Sequence, residues 1–335
     1  MPSVALQKLD FPTGLPPTIS HPSMQVGGIL DDGTVAGFVS DGSRVFGLFA
    51  NKDGHTKYFD APPNLPYGGN APFLGTPARM INRNGLLLSY PLSTNDVFTL
   101  DSRTGQVGNI AVKSTIQGIP MSLLDDGTIY GLGYGTGKAV HITPDGQFTT
   151  VKVPLNGFGD ALSIVVSSNE SAMVYHAIKD GENRPAGSYD AIIVCNARVT
   201  HLSLFEALAV NDKGDAVGSQ IDGQPGIPPA ARLSAYINGQ MSPISVEILP
   251  GFLTSGIGRI SNDGTLVGTY INKGVTACGL FAWNDGLATD LSSAGDLRGM
   301  KVSLVTPFNE TNAFAITGRG PNDAYDSAFR AQLLP

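Results

Sequence analysis

Residues 262–268 read NDGTLVG: a turn word, then the start of a strand. Close copies stand at 31–37 (DDGTVAG), 125–131 (DDGTIYG) and 211–218 (NDKGDAVG). Asn-Gly and Asp-Gly dipeptides suit tight hairpins, because the turn needs positive φ. The same acids could form a metal loop. An EF-hand loop, however, needs a twelve-residue ligand pattern ending in Glu, and none of these stretches continues that way. The word therefore reads as a hairpin, and its recurrence reads as architecture.

The turn glycines Gly33, Gly85, Gly127, Gly214 and Gly264 fall 42 to 52 residues apart, with one double gap of 87. The double gap holds an eroded copy, SSNESA at 167–172, with Ser171 in the glycine place. A seventh copy, FNETNAFA, stands at 308–315. A period of roughly 40–50 residues points to a propeller or a helical array. Sustained 3.6-residue apolar spacing is missing, which argues against helices. Each unit instead holds short β-rich runs broken by Gly, Asn and Asp.

The sixth unit shows the plan: GIGRIS, turn, TLVGTYI, loop, ACGLFAW, turn, LATDLSS. Four antiparallel strands per unit make a propeller blade. The last unit lacks its fourth strand, while the chain opens on an orphan strand, VALQKLDFP, at 4–12. The expected fold is all-β: a seven-bladed β-propeller of four-stranded antiparallel blades, in one domain over 1–335. The N-terminal strand completes the last blade. Six or eight blades would follow if the weak units at 159–205 and 301–335 were miscounted.

The stretches EALAVNDKGDAVGSQ (206–220) and CGLFAWNDGLATDL (278–291) resemble the HAF repeat family of bacterial sequences. That family pairs an A-x-x-I-N-D-x-G-x-V-V-G run with H-A-F-x-W-x-x-G-x-x-x-D-L. Gly279-Leu280-Phe281 stands here where the family shows His-Ala-Phe. The resemblance implies a propeller-like fold and carries over no catalytic residue.

Bulk composition narrows the function. Gly and Pro make up nearly a fifth of the 335 residues, yet 41% hydrophobic content supports a packed core. A net charge of −7 without a basic cluster argues against nucleic acid. No run approaches the roughly 18 apolar residues of a membrane span. The N-terminal stretch lacks a cationic start followed by a long apolar run, so a cytoplasmic protein is expected. A removed leader would leave no trace. The two cysteines, Cys195 and Cys278, are too few for a disulfide scaffold. They fall on non-adjacent blades and read as buried thiols.

In a blade, the turns between strands one and two and between three and four share one face. Here those turns are short and stereotyped. Length variation sits on the other face, in stretches such as 11–23, 60–77, 175–190, 219–234 and 318–327. Long loops on a rigid scaffold are where function usually sits. Arg79, Glu206 and Arg259 lie in or beside first strands, which line the central channel. Buried charges there need partners, water or a ligand. His176 falls near the loop-rich rim, where an imidazole suits acid–base work. His176, Arg259, Arg79 and Glu206 are thus the candidate catalytic residues. His21, Tyr67, Arg184, Tyr189, Arg319 and Tyr325 are the candidate substrate-binding residues. His55 and His201 open fourth strands, away from this face.

No His-x-x-x-His or Cys-x-x-Cys spacing supports a metal, and GLGYGTGKAV (131–140) fails both phosphate-loop patterns. The expected function is a cofactor-independent enzyme acting on a small, largely apolar molecule: a lyase, isomerase or cyclase. A glycan-binding propeller and a protein-interaction scaffold are the alternatives. Trp283 is the one tryptophan, and no aromatic motif repeats on the loops, which disfavours a sugar site in every blade.

Overall fold

The computed structural model describes residues 3–41, 44–60, 79–89, 96–111, 118–133, 136–184, 188–222, 230–244, 252–272, 278–292 and 297–334. These residues form seven antiparallel blades and no α-helix. Blade 1 is β2 (Pro22–Ile29), β3 (Val35–Asp41), β4 (Arg44–Lys52) and β5 (His55–Asp60). Blade 3 is β9 (Gly118–Leu123) to β12 (Phe148–Thr150), and blade 4 is β13 (Ser163–Val166) to β16 (Arg198–Leu202). Blade 5 is β17 (Phe205–Val210) to β20 (Gln240–Pro243), and blade 6 is β21 (Phe252–Ile260) to β24 (Leu287–Asp290).

Blade 2 has three full strands, β6 (Leu86–Ser89), β7 (Asp96–Asp101) and β8 (Val107–Ala111). Of its inner strand the described residues include a short segment from Arg79, held by an Ile81–Leu87 bridge and by Leu88 N–H donating to Met80 O at 2.7 Å. Blade 7 pairs β25 (Lys301–Val305), β26 (Ala313–Arg319) and β27 (Ser327–Leu334) with β1 (Ser3–Lys8). The β1–β27 register runs from Ser3–Leu334 to Lys8–Phe329. The N-terminal strand therefore closes the ring as the sequence predicts, and both weak units are complete blades. Six and eight blades are excluded.

The first strand of each blade is innermost and the fourth outermost. The fourth strands β5, β8 and β16 are accordingly mostly exposed, whereas β3 is buried almost throughout. Apolar side chains fill the joints between blades. Phe38, Phe49, Phe205, Phe281 and Phe314 are among the largest fully buried side chains. Burying each contributes about 2–3 kcal/mol. The inner strand of blade 1 approaches blade 2 so closely that a Cβ on Gly28 would lie 2.2 Å from Ile81 Cγ2.

The repeated turn word joins neighbouring blades at four of the joints. Its first acid or amide accepts a backbone N–H from the preceding blade. Arg83 N–H donates to Asp125 Oδ1 at 2.9 Å, Asn169 N–H to Asp212 Oδ1 at 2.9 Å, and Asp212 N–H to Asn262 Oδ1 at 3.0 Å. Glu310 N–H reaches Asp31 Oδ1 at 2.9 Å, across the closure of the ring. The second acid closes its own turn: Asp32, Asp126 and Asp263 accept the N–H of Thr34, Thr128 and Thr265. Where Asn precedes the word, its amide also bridges forward. Asn82, Asn211 and Asn309 donate to the carbonyls of Leu124, Ser261 and Leu30, each at 2.9 Å.

Blade 4 departs from the sequence reading. Glu170, not Ser171, takes the glycine place. Its φ is 66°, and its N–H bonds to Ser167 O at 3.2 Å, as Gly33 N–H bonds to Leu30 O at 2.9 Å. Asn312, with φ 59°, does the same in blade 7. A glutamate pays about 1 kcal/mol or more to adopt this conformation. Its carboxylate supplies the compensation: Asp125 N–H donates to Glu170 Oε1 at 2.6 Å.

Candidate functional site

The two ends of the channel differ. At the short-turn end, Arg79 enters from the inner segment of blade 2 and is 5% exposed. Its guanidinium donates to Leu123 O at 3.1 Å and pairs with Asp125 at 2.9 Å and with Glu170. Arg83 pairs with the other Asp125 oxygen at 2.5 Å and faces Glu310 at 3.7 Å. Burial pushes the Asp125 carboxyl up, but the Arg83 N–H, the Arg83 guanidinium and Arg79 outweigh it and hold it low. Ser168 Oγ, in blade 4, donates to Phe308 O of blade 7 at 2.5 Å, across the channel.

Arg259, at the end of β21, lines the same space and is 8% exposed. Burial lowers its pKa to about 10, so it stays cationic at neutral pH. The two cavities that remain among these side chains measure about 40 and 20 Å³. Each can take a water, which needs roughly 10–15 Å³ by the same measure, and neither can take an organic substrate. Arg79 and Arg259 therefore belong to a polar plug. Among the described residues, this cluster leaves room for water at this end of the channel.

The loop-rich end gathers most of the remaining candidates on two sides. At the joint of blades 7 and 1, His21 packs against Tyr325, with ring centroids 5.2 Å apart and planes tilted by 60°. Arg319 donates to Asp326 Oδ1 at 3.0 Å, and Asp326 O accepts Met24 N–H. These contacts pin the loop between β26 and β27 to the start of β2.

On blade 4, His176 differs from the rim residue the sequence suggests. It sits on β14 (Ala172–Ala177), paired in register with Ser163, and is only 2% exposed. Its Nδ1 and Ser163 Oγ are hydrogen-bonded at 2.6 Å. Desolvation lowers its pKa to about 4, with the backbone of Ala207 acting weakly the other way. It is neutral at physiological pH. Tyr189 lies beside it, with ring centroids 6.4 Å apart.

Arg184 is held in a neighbouring ion cluster. It pairs with buried Asp190 at 2.5 Å and with Glu182. His201 Nε2 meets the other Asp190 oxygen at 2.9 Å, and Leu204 N–H donates to Asp190 Oδ1. Burial raises the Asp190 pKa, and these partners more than reverse it. His201 is the next-to-last residue of β16 and does not open it, and with Asp190 it pins the connection into blade 5. His55 does open β5. Tyr67 lies outside the described residues.

Glu206 stands apart. It is the second residue of β17, at the loop-rich end of that inner strand. Phe205 and Ala207 turn into the joint with blade 4, so strand alternation turns Glu206 to the other side. It is half-buried and makes no hydrogen bond or ion pair among the described residues. Desolvation raises its pKa. A carboxyl so placed can give or take a proton nearer neutral pH than an ordinary glutamate. Sequence reasoning singled out Glu206 and did not single out Glu170, Asp125, Ser168 or Ser163. Their roles depend on contacts between blades far apart in sequence.

Fold and site together define a seven-bladed β-propeller whose short-turn end, among the described residues, carries a polar cluster around Arg79 and Arg259. No family description and no curated protein matches the chain. Solved structures share its fold. Virginiamycin B lyase from Staphylococcus aureus, with quinupristin, is 11% identical over 99% of this chain and 100% of its own, with a TM-score of 0.54. The β-propeller domain of the Trilobed protease from Pyrococcus furiosus is 10% identical over 94% and 98%, with a TM-score of 0.58. Pyrococcus horikoshii acylaminoacyl peptidase is 10% identical over 90% of this chain and 50% of its own, with a TM-score of 0.56. At these identities the likeness is one of fold. Among the described residues, no helix is long and apolar enough to cross a membrane.

Proposed function

We propose that this chain is a cofactor-independent enzyme acting on one small, largely apolar molecule at the loop-rich mouth of the propeller. The reaction class is a lyase, isomerase or cyclase step, ring formation included. The observation that carries the reading is Glu206: a half-buried carboxyl on an inner strand, with a raised pKa and no partner among the described residues. Such a group serves as proton donor and acceptor without a cofactor. His21, Tyr325 and Tyr189 offer aromatic and polar edges that orient a substrate. Arg319 and Arg184 hold the loops that carry them. The virginiamycin B lyase fold shows that a propeller of this size supports lyase chemistry, which is an analogy of scaffold.

A cytoplasmic setting and membership of the HAF repeat group belong to the same reading. The repeat word supports the latter, because its Asn and Asp have the joint-forming roles seen here.

The test is a thermal-shift screen of the purified chain against apolar cyclic and polyene small molecules, followed by mass spectrometry of each hit after incubation. A saturable shift with an isomerised or eliminated product, lost in Glu206→Gln, supports the reading. Hits that are never converted, or conversion unchanged in Glu206→Gln, contradict it.

A further inference from the structure

A second cleft lies outside the channel, on the short-turn face between blades 4 and 5, and measures about 550 Å³. Three hairpins build it. Asn196 and Ala197 turn between β15 (Asp190–Cys195) and β16, both with positive φ. Lys213 and Gly214 belong to the repeated word of blade 5, and Asn238 and Gly239 turn between β19 (Ala230–Ile237) and β20.

The cleft reverses the local charge pattern. Where the words of blades 1, 3 and 6 carry Asp32, Asp126 and Asp263, blade 5 carries Lys213. Arg198, from β16, lines the same space. Neither cation has an ion-pair partner among the described residues. The Asp212 and Asp215 carboxylates lie nearby and keep their charge, but they do not line the cleft; Asp212 accepts from Asn169 and Asn262, and Asp215 accepts from Asn211 and the Asn238 N–H. The rest of the lining includes the hydroxyl of Thr200, the amides of Asn196 and Asn238, and the half-buried ring of Tyr236.

We propose that this cleft binds an anionic sugar, with Arg198 and Lys213 taking the acid group. Amides, a hydroxyl and a tyrosine ring match sugar hydroxyls and a sugar face. Two unpaired cations in a chain of net charge −7 match a carboxylate or sulfate. The volume suits a mono- or disaccharide. Among the described residues, the pair of Arg198 and Lys213 lines this one cleft. It is separate from the mouth assigned to the enzyme, and either can stand if the other fails.

Calorimetry with digalacturonate, a sulfated chondroitin disaccharide and neutral galactobiose tests the proposal. At least one anionic disaccharide should bind, and the tighter of the two identifies carboxylate or sulfate as the preferred acid. Lys213→Asp restores the residue three other turns carry, so it should fold, and it should weaken binding about tenfold or more. Arg198→Gln should do the same. Cys195 lies on the cleft floor as a half-buried free thiol, so bound sugar should slow its alkylation, read on the Cys195 peptide. The proposal is overturned if neither anionic disaccharide binds, if galactobiose binds equally well, or if Lys213→Asp binds like the parent chain.

Discussion

Asp125, in blade 3, donates its backbone N–H to Glu170 Oε1, in blade 4, at 2.6 Å, and the same carboxylate pairs with Arg79 of blade 2. Three blades thus meet at one side chain, and that side chain sits in a conformation that favours glycine. The contact explains why the glutamate is tolerated there.

Glu170→Gly should relieve the backbone and still destabilise the protein. Relief is worth about 1–2 kcal/mol. Leaving buried Arg79 short of a partner costs roughly 3–5 kcal/mol in a fully buried pair, and somewhat less here because Asp125 remains. A net loss of about 2 kcal/mol in urea unfolding is expected. A variant as stable as the parent would show that the carboxylate contributes nothing.

His176 should set the onset of acid destabilisation. Its folded pKa of about 4 lies below the ordinary value of about 6.5. Above pH 6.5 it is neutral in both states and has no effect. Between 6.5 and 4 the unfolded chain binds a proton that the folded chain does not, so stability falls as pH falls. Asp125 and Asp190, whose pKa values are lowered, act in a more acidic window. Their stabilisation is present above the unfolded value near 3.9 and is lost as pH falls through the folded values. His176→Gln should flatten the melting temperature between pH 6.5 and 4 and leave the steeper fall below that range.

Asn309 has two duties that one substitution separates. Its Oδ1 accepts the N–H of Thr311 and Ala313, and its amide donates to Leu30 O in blade 1. Asn309→Asp keeps the first and sets a carboxylate against the carbonyl. A loss of about 1–3 kcal/mol is expected at pH 7, with partial recovery near pH 4 as the carboxyl protonates. Denaturant unfolding at the two pH values reads it. The buried amide also identifies this Asn-Glu-Thr sequence as turn chemistry.

Glu206 should behave oppositely to these structural residues. A half-buried carboxylate without a partner among the described residues adds no contact there that a neutral isostere would lose. Glu206→Gln is expected to be as stable as the parent or up to about 1 kcal/mol more stable, while activity falls. A large loss of stability would instead make Glu206 a structural residue.

The architecture was legible because it is written locally. A hairpin with positive φ needs Gly or Asn, so Gly33, Gly127 and Gly264 mark the blades, and VALQKLDFP declares itself an outer strand without a partner. Glu170 was not legible, since nothing local marks a glutamate as the left-handed residue; its partners lie 45 and 91 residues away. His176 misled for a related reason. Its position in a strand beside a long loop suggested the rim, but the inner strand of blade 5 covers it. The roles of Arg79 and Arg184 were hidden because a lone arginine does not show whether a carboxylate will meet it.

The central claim is that the short-turn end of the channel is a plug and the loop-rich mouth holds the substrate. A crystal structure of the protein with a hit from the small-molecule screen tests it most directly. The account predicts ligand density beside Glu206, between the His21–Tyr325 pair and Tyr189, with the contact between Ser168 and Phe308 unbroken. Density among Arg79, Arg83, Asp125 and Glu310, with that contact open, would contradict it.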